Sequence, residues 1–164
     1  MPTWRPWEEE LCKRDFTKST YFNWVRETYD AVPDDLKDRV WIMPHPLIKE
    51  YIGELKDYAD AQGDEERYAE IFEHFAPEDK YDNILKEVCL LITDYSSVSY
   101  DAFYRGANII FNWREKDETV AKYGANSSLM LTEELAFGDV VYNDIDMKKS
   151  VKALYKKERP SSYI

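Results

Sequence analysis

Glycine is sparse in this chain. The five that occur among 164 residues (Gly53, Gly63, Gly106, Gly124 and Gly138) lie far apart, which excludes a glycine-rich loop that wraps a phosphate in backbone amides. Cysteine is rarer. Cys12 and Cys89 have no metal-ligand spacing, and Cys89 falls in an apolar run, so both read as free thiols of a reducing compartment. Positive charge is also short: 22 Lys and Arg stand against 33 Asp and Glu, for a formal −11. That excludes a nucleic-acid partner, which needs a basic face, but leaves room for one small phosphate ligand held by local positive potential. No apolar run approaches the length of a membrane span, and the opening residues carry no charged-then-apolar leader. A cytoplasmic protein is the expectation.

What the chain does have is core-forming material. With 44% hydrophobic residues, five Trp and thirteen Tyr, it can build one domain around a real core and is not a disordered segment. Apolar spacing predicts an amphipathic helix over Lys18–Val32, through Tyr21, Phe22, Val25, Tyr29 and Val32, broken by Pro33-Asp34-Asp35. A short strand at Arg39–Met43 stops at Pro44, and a helix over about 48–61 ends at Gly63. Glu65–Phe75 is ambiguous, helical early and strand-like near its end. Asp82–Glu87 reads as a helix, Val88–Thr93 as a strand, Ser97–Arg105 as a helix and Asn108–Phe111 as a strand. Gly106 sits where a helix C-terminal glycine belongs. Strand, helix and strand so close together make a βαβ unit with a parallel pair. The continuous apolarity of Val88–Thr93 marks it as the central strand, buried on both faces. A helix over Glu115–Tyr123, a turn and strand at Phe137–Tyr142 and a helix over Ile145–Tyr155 complete an α/β fold with a mostly parallel sheet.

The chemistry gathers after the second strand, in Leu90-Leu91-Ile92-Thr93-Asp94-Tyr95-Ser96-Ser97. A buried strand runs straight into hydroxyl-rich residues that open a helix, where free N–H groups and the helix dipole favour an anion. Asp94 stands at the strand's carboxyl end, where open α/β sheets bind ligands. Asp94–Ser97 is therefore a candidate nucleotide or phospho-ligand site, with simple helix capping as the competing reading. His45 is the second candidate. Pro44 and Pro46 stiffen its loop directly after the Arg39–Met43 strand, at the same rim, where an imidazole can donate to a phosphate oxygen or protonate a leaving group. A structural hydrogen bond in the turn is its plainer role, and the plain role suits His74. Arg5 and Arg114 are candidates for phosphate pairing. Asp144-Ile145-Asp146 has the spacing of an acidic metal pair but sits where the final helix needs an acidic cap after Asn143.

Taken in order, Pro2-Thr3-Trp4-Arg5, Pro44-His45-Pro46 and Leu91-Ile92-Thr93-Asp94-Tyr95-Ser96-Ser97 with Tyr100-Asp101 resemble the CDP-glycerol glycerophosphotransferases. These bacterial enzymes build teichoic-acid and related polyol-phosphate polymers. The resemblance runs from residue 2 to about residue 155 and is most specific at Thr93–Ser97. It implies a Rossmann-like three-layer α/β/α unit, the C-terminal donor-binding half of a glycosyltransferase-B-type enzyme, with no metal or cofactor. It also implies a catalytic role for His45 at the donor pyrophosphate, and substrate-binding roles for Arg5, Asp94, Tyr95, Ser96, Ser97 and Asp101. The donor would be CDP-glycerol or a related nucleotide-activated compound. The polyol-phosphate or glycan acceptor would enter through an N-terminal domain that this chain lacks. The parent enzyme would be cytoplasmic and peripheral at the inner membrane face. The chain departs from the family's usual pattern in the aromatic Asn112–Leu131 region and in stopping at Ile164. The expectation is a fragment that binds donor without turnover. Three other readings stay open: a nucleotide-sugar glycosyltransferase donor domain, a receiver-like domain phosphorylated on Asp94, and a non-catalytic interaction domain with an aromatic surface.

Overall fold

The computed structural model of the chain describes residues 2–3, 20–51, 53, 57, 65–123 and 131–159. Helix α1, Thr20–Asp30, buries Tyr21, Phe22, Trp24, Val25, Thr28 and Tyr29 along one face, the stripe that its apolar spacing encodes. Pro33 follows, and the chain tightens into a 3₁₀ turn at Asp34–Arg39. A second 3₁₀ turn covers Pro46–Tyr51. Helices α2 (Glu65–Glu73) and α3 (Tyr81–Glu87) lead to strand β1, Leu90–Thr93. Then come α4 (Val98–Tyr104), β2 (Asn108–Asn112), α5 (Lys116–Tyr123), β3 (Asp139–Val141) and α6 (Asp144–Leu154). Among the described residues no helix is long and apolar enough to cross a membrane.

The three strands form one parallel sheet in the order β1-β2-β3, with Ile92 opposite Ile110 and Phe111 opposite Val140. Side chains alternate between its faces. Leu91, Ile109 and Phe111 pack on one face with Ala102 of α4 and with Trp113. On the other, Ile110 and Val141 pack with Ala31 and Val32 after α1 and with Met147 and Val151 of α6. Helices therefore cover both faces, giving the three layers of a Rossmann-like α/β unit. Gly106 turns the chain from α4 into β2 at φ 99°, a conformation in which a side chain would crowd the backbone. Gly138 lets β3 approach β2, because a Cβ there would collide with the Ile109 carbonyl.

Two expectations are corrected. The central strand is β2, buried at all five positions, whereas β1 alternates between half-buried and buried. Polar ends had disguised β2. Asn108 hides its amide by donating to the Leu154 and Lys157 carbonyls, and Asn112 donates to Thr28 Oγ1. Cys89 lies just outside β1 and is exposed. The strand expected over Arg39–Met43 is reduced to one parallel bridge, Ile42 with Phe75. The 3₁₀ turn consumes Arg39 on one side and Pro44 removes a donor on the other. The helix expected over 48–61 falls largely outside the described residues.

Candidate functional site

The carboxyl ends of β1 and β2 define the rim on which the site is built. At β1, the buried Asp94 carboxylate accepts three bonds on Oδ1, from Thr3 N–H (2.7 Å), Thr3 Oγ1–H (2.8 Å) and Tyr95 N–H (2.6 Å). Its carbonyl accepts from Trp113 Nε1 at 2.9 Å, and the indole stacks on the Tyr95 ring at 5.1 Å and 15°. The turn leaving β1 is thus clamped from two directions, by residue 3 and by the residue that follows β2. Buried and engaged in this way, Asp94 orients the loop. It does not offer the accessible carboxylate that phospho-acceptor chemistry requires.

Past the clamp the chain presents hydroxyls. Ser96 is half-buried. Its Oγ accepts from Val98 N–H at 3.4 Å, and its carbonyl accepts from Ser99 Oγ–H at 2.8 Å. Ser97 is exposed at the N-cap position of α4 and makes no side-chain capping bond. Most N-cap serines satisfy a backbone donor of their own helix; this hydroxyl does not. Asp101 is exposed on the first turns of α4.

His45 is tied to α1. Asn112, the last residue of β2, accepts from Trp24 Nε1 at 3.1 Å. Ala31 and Val32, beyond the other end of α1, pack beside Ile110, deeper in the sheet. The middle of the helix, through Trp24 and Thr28, therefore meets the carboxyl end of β2, with its first turn just before them. Tyr21 lies in that turn, and its hydroxyl accepts the His45 N–H at 2.7 Å. A second tie holds the loop, from Tyr81 O–H to the Pro44 carbonyl at 2.7 Å. Ile42 and Ile48, which bracket His45, belong to the core cluster against which Ile92 of β1 packs. Leu47 N–H donates to His45 Nδ1 at 3.2 Å, which assigns the ring proton of the neutral imidazole to Nε2. Burial pushes the imidazole below its ordinary value of 6.5, because desolvation disfavours the charged form.

The remaining candidates separate. Arg114 is no free cation: Glu27 (3.0 Å) and Asp144 (2.6 Å) share its guanidinium, and Nε donates to Asn112 Oδ1. It ties α1 to α6 across the sheet end. Asp146 serves the cap of α6: its N–H donates to Asn143 Oδ1 at 2.9 Å and its carboxylate accepts from Asn143 Nδ2. His74 is structural, with Nδ1 against the Val40 carbonyl and Nε2 against the Tyr29 hydroxyl. Arg5 lies outside the described residues. Beside the rim, Glu133 accepts from Lys116 and from Tyr142 O–H, and these bonds hold its carboxyl near 2.

Sequence reasoning missed Thr3, Tyr21 and Trp113 as parts of this assembly. Position gave one signal for Trp113, a bulky donor placed directly after a buried strand. Their partners lie 91, 24 and 19 residues away, beyond any local pattern.

The family profile described as CDP-Glycerol:Poly(glycerophosphate) glycerophosphotransferase matches residues 1–162. No curated protein and no solved structure matches the chain.

Proposed function

The chain belongs to the CDP-glycerol:poly(glycerophosphate) glycerophosphotransferase family, and from that premise we propose that it is the nucleotide-donor-binding domain of a two-domain transferase of glycosyltransferase-B type. The donor is CDP-glycerol, and its pyrophosphate rests on the turn after β1. The Ser97 hydroxyl faces the phosphate oxygens, Ser96 shapes the turn by accepting from Val98 N–H and Ser99 N–H, and Asp94 with Tyr95 holds it rigid. Arg5 and Asp101 complete the substrate contacts. His45 approaches from the Pro44–Pro46 loop and donates Nε2–H toward the phosphate that departs with CMP.

The reaction is an in-line displacement at the glycerol-bearing phosphorus. An acceptor hydroxyl oxygen forms the new P–O bond while the bond to the bridging oxygen of CMP breaks. The acceptor proton passes to a base in the acceptor-binding domain, and CMP leaves with the displaced electron pair. Positioning and charge stabilisation supply most of the rate in such transfers. A neutral imidazole suits that task, because a fixed N–H stabilises developing charge on the bridging oxygen without having to ionise. The enzyme on this reading works in the cytoplasm, peripheral at the inner membrane face.

Support comes from the combination of the family match, a Ser97 hydroxyl without a capping bond and an imidazole whose Nδ1 is already an acceptor. Titration of the labelled chain with CDP-glycerol, followed by amide NMR, tests it. Shifts at Ser96, Ser97 and His45 are expected, with weaker binding in Ser97→Ala and His45→Ala. Saturable binding that leaves those three amides unmoved refutes the assignment.

A further inference from the structure

Helix α6 carries a charge pattern that the donor site does not use. From Lys148 to Arg159 the chain has six basic residues and one acidic, Glu158. That is a local excess of five positive charges on a chain of net −11, so the remainder carries −16. Met147 and Val151 face the core, which sends Lys148, Lys149 and Lys152 outward, and all three are exposed. Lys148 and Lys152 stand one turn apart, about 6 Å along the axis.

The stripe continues past the helix on an anchored tail. Asn108 Nδ2 donates to the Leu154 carbonyl (3.2 Å) and the Lys157 carbonyl (2.7 Å), and Lys157 N–H returns to Leu154 at 3.0 Å. Arg159 is spent on fixing this tail, stacked on Phe103 and bonded to the Phe103 and Ala107 carbonyls. The turn holds Lys156 at φ 65°, a left-handed conformation that is unfavourable for a non-glycine residue. Exposed Lys156 and Lys157 are thereby set at the end of the line that α6 begins. Carboxylates border it: Asp144 shares Arg114 with Glu27, Asp139 accepts from Ser150, Asp34 pairs with Lys37 and also feels the charge of Lys148, and Asp146 lies 3.8 Å from Lys149.

We infer that this stripe binds the growing acceptor, a linear polyanion of glycerophosphate units. The inference rests on the transferase reading above. The family's acceptor carries one negative charge per repeating unit, and a single row of lysines one helical turn apart matches a single charged chain. An anionic bilayer is the other polyanion to weigh. It presents a plane of charge, which would meet the −16 of the remaining surface as well as the stripe, and like charges repel. The row also begins at the rim, because α6 opens directly after β3 with Asp144 tied to Arg114. A polymer lying on α6 therefore ends near the reacting phosphorus.

The test uses the full chain and the triple variant K148Q/K149Q/K152Q, with a fluorescent oligo(glycerophosphate) as probe and anisotropy as readout at several salt concentrations. The wild type binds, and the variant binds about tenfold or more weakly with a flatter salt dependence, as fewer counterions are displaced. Equal binding by the variant, or no binding by the wild type, overturns the inference. Vesicles rich in phosphatidylglycerol form the second arm, and tighter binding to them through the same lysines also overturns it. CDP-glycerol titrations run in parallel and are unaffected by the three substitutions. Failure of the wild type to bind CDP-glycerol would strike the donor-site reading and leave the result on the stripe intact.

Discussion

Replacing Asp94 by Asn tests whether this carboxylate is a clamp. The change is nearly isosteric, so its cost lies in hydrogen bonding. In the native turn one oxygen accepts from Thr3 N–H, Thr3 Oγ1–H and Tyr95 N–H. A neutral amide oxygen has two lone pairs and no charge, so two bonds weaken by about 1 kcal/mol each and one donor is orphaned at a further cost of about 1–2 kcal/mol. The easier burial of an amide returns part of this, leaving a net loss of about 2–3 kcal/mol. For a chain of this size that lowers the melting temperature by roughly 5–10 °C. Thr3→Val removes one of the same bonds, so the two substitutions share an interaction and couple by about 0.5 kcal/mol or more in a double-mutant cycle. Urea unfolding of the four proteins measures both quantities. The reasoning fails if Asp94→Asn stays within about 0.5 kcal/mol of the wild type, or if the two changes simply add. Stability unchanged with CDP-glycerol binding lost would make Asp94 a ligand group.

Two further outcomes follow from the same geometry. Gly138→Ala drives a methyl group into the Ile109 backbone and separates β3 from β2 at a cost of about 1–3 kcal/mol, seen as early hydrogen exchange at Val140 and Val141; native exchange there would refute it. His45 gives stability a pH dependence. The folded imidazole resists protonation at 6.5, where the unfolded one accepts it, so below 6.5 the unfolded state binds more protons and stability rises with pH. The stabilisation is complete above 6.5 and is lost as pH falls beneath it. Unfolding midpoints across that range show this slope in the wild type and a smaller one in His45→Gln; identical slopes would exclude His45 as its source.

Local signals in the sequence were reliable where a residue's own chemistry decides the structure. The spacing from Tyr21 to Val32 gives α1, Pro33 breaks it, Gly106 turns α4 into β2, and Asn143 caps α6. The βαβ unit follows from these. What stayed hidden depends on distant partners. Asn108 and Asn112 give β2 polar ends, and the partners that bury their amides, Leu154, Lys157 and Thr28, are distant in the chain. Arg114 reads as a free cation because Glu27, its partner, is 87 residues away. The candidate site divides along the same line. The residue types at Asp94–Ser97 and His45, from which a phosphate site is proposed, are local, while the clamp on Asp94 is made by contacts across the fold.

The stack of Trp113 on Tyr95 also supplies an optical gauge of that turn. Two aromatic rings locked nearly parallel in a buried, asymmetric setting give strong near-ultraviolet circular dichroism, a signal that depends on fixed tertiary packing. Because the indole is bonded to the Asp94 carbonyl, any movement of the turn tilts one chromophore against the other. The chain therefore reports the state of this turn through its own spectrum, with no added label.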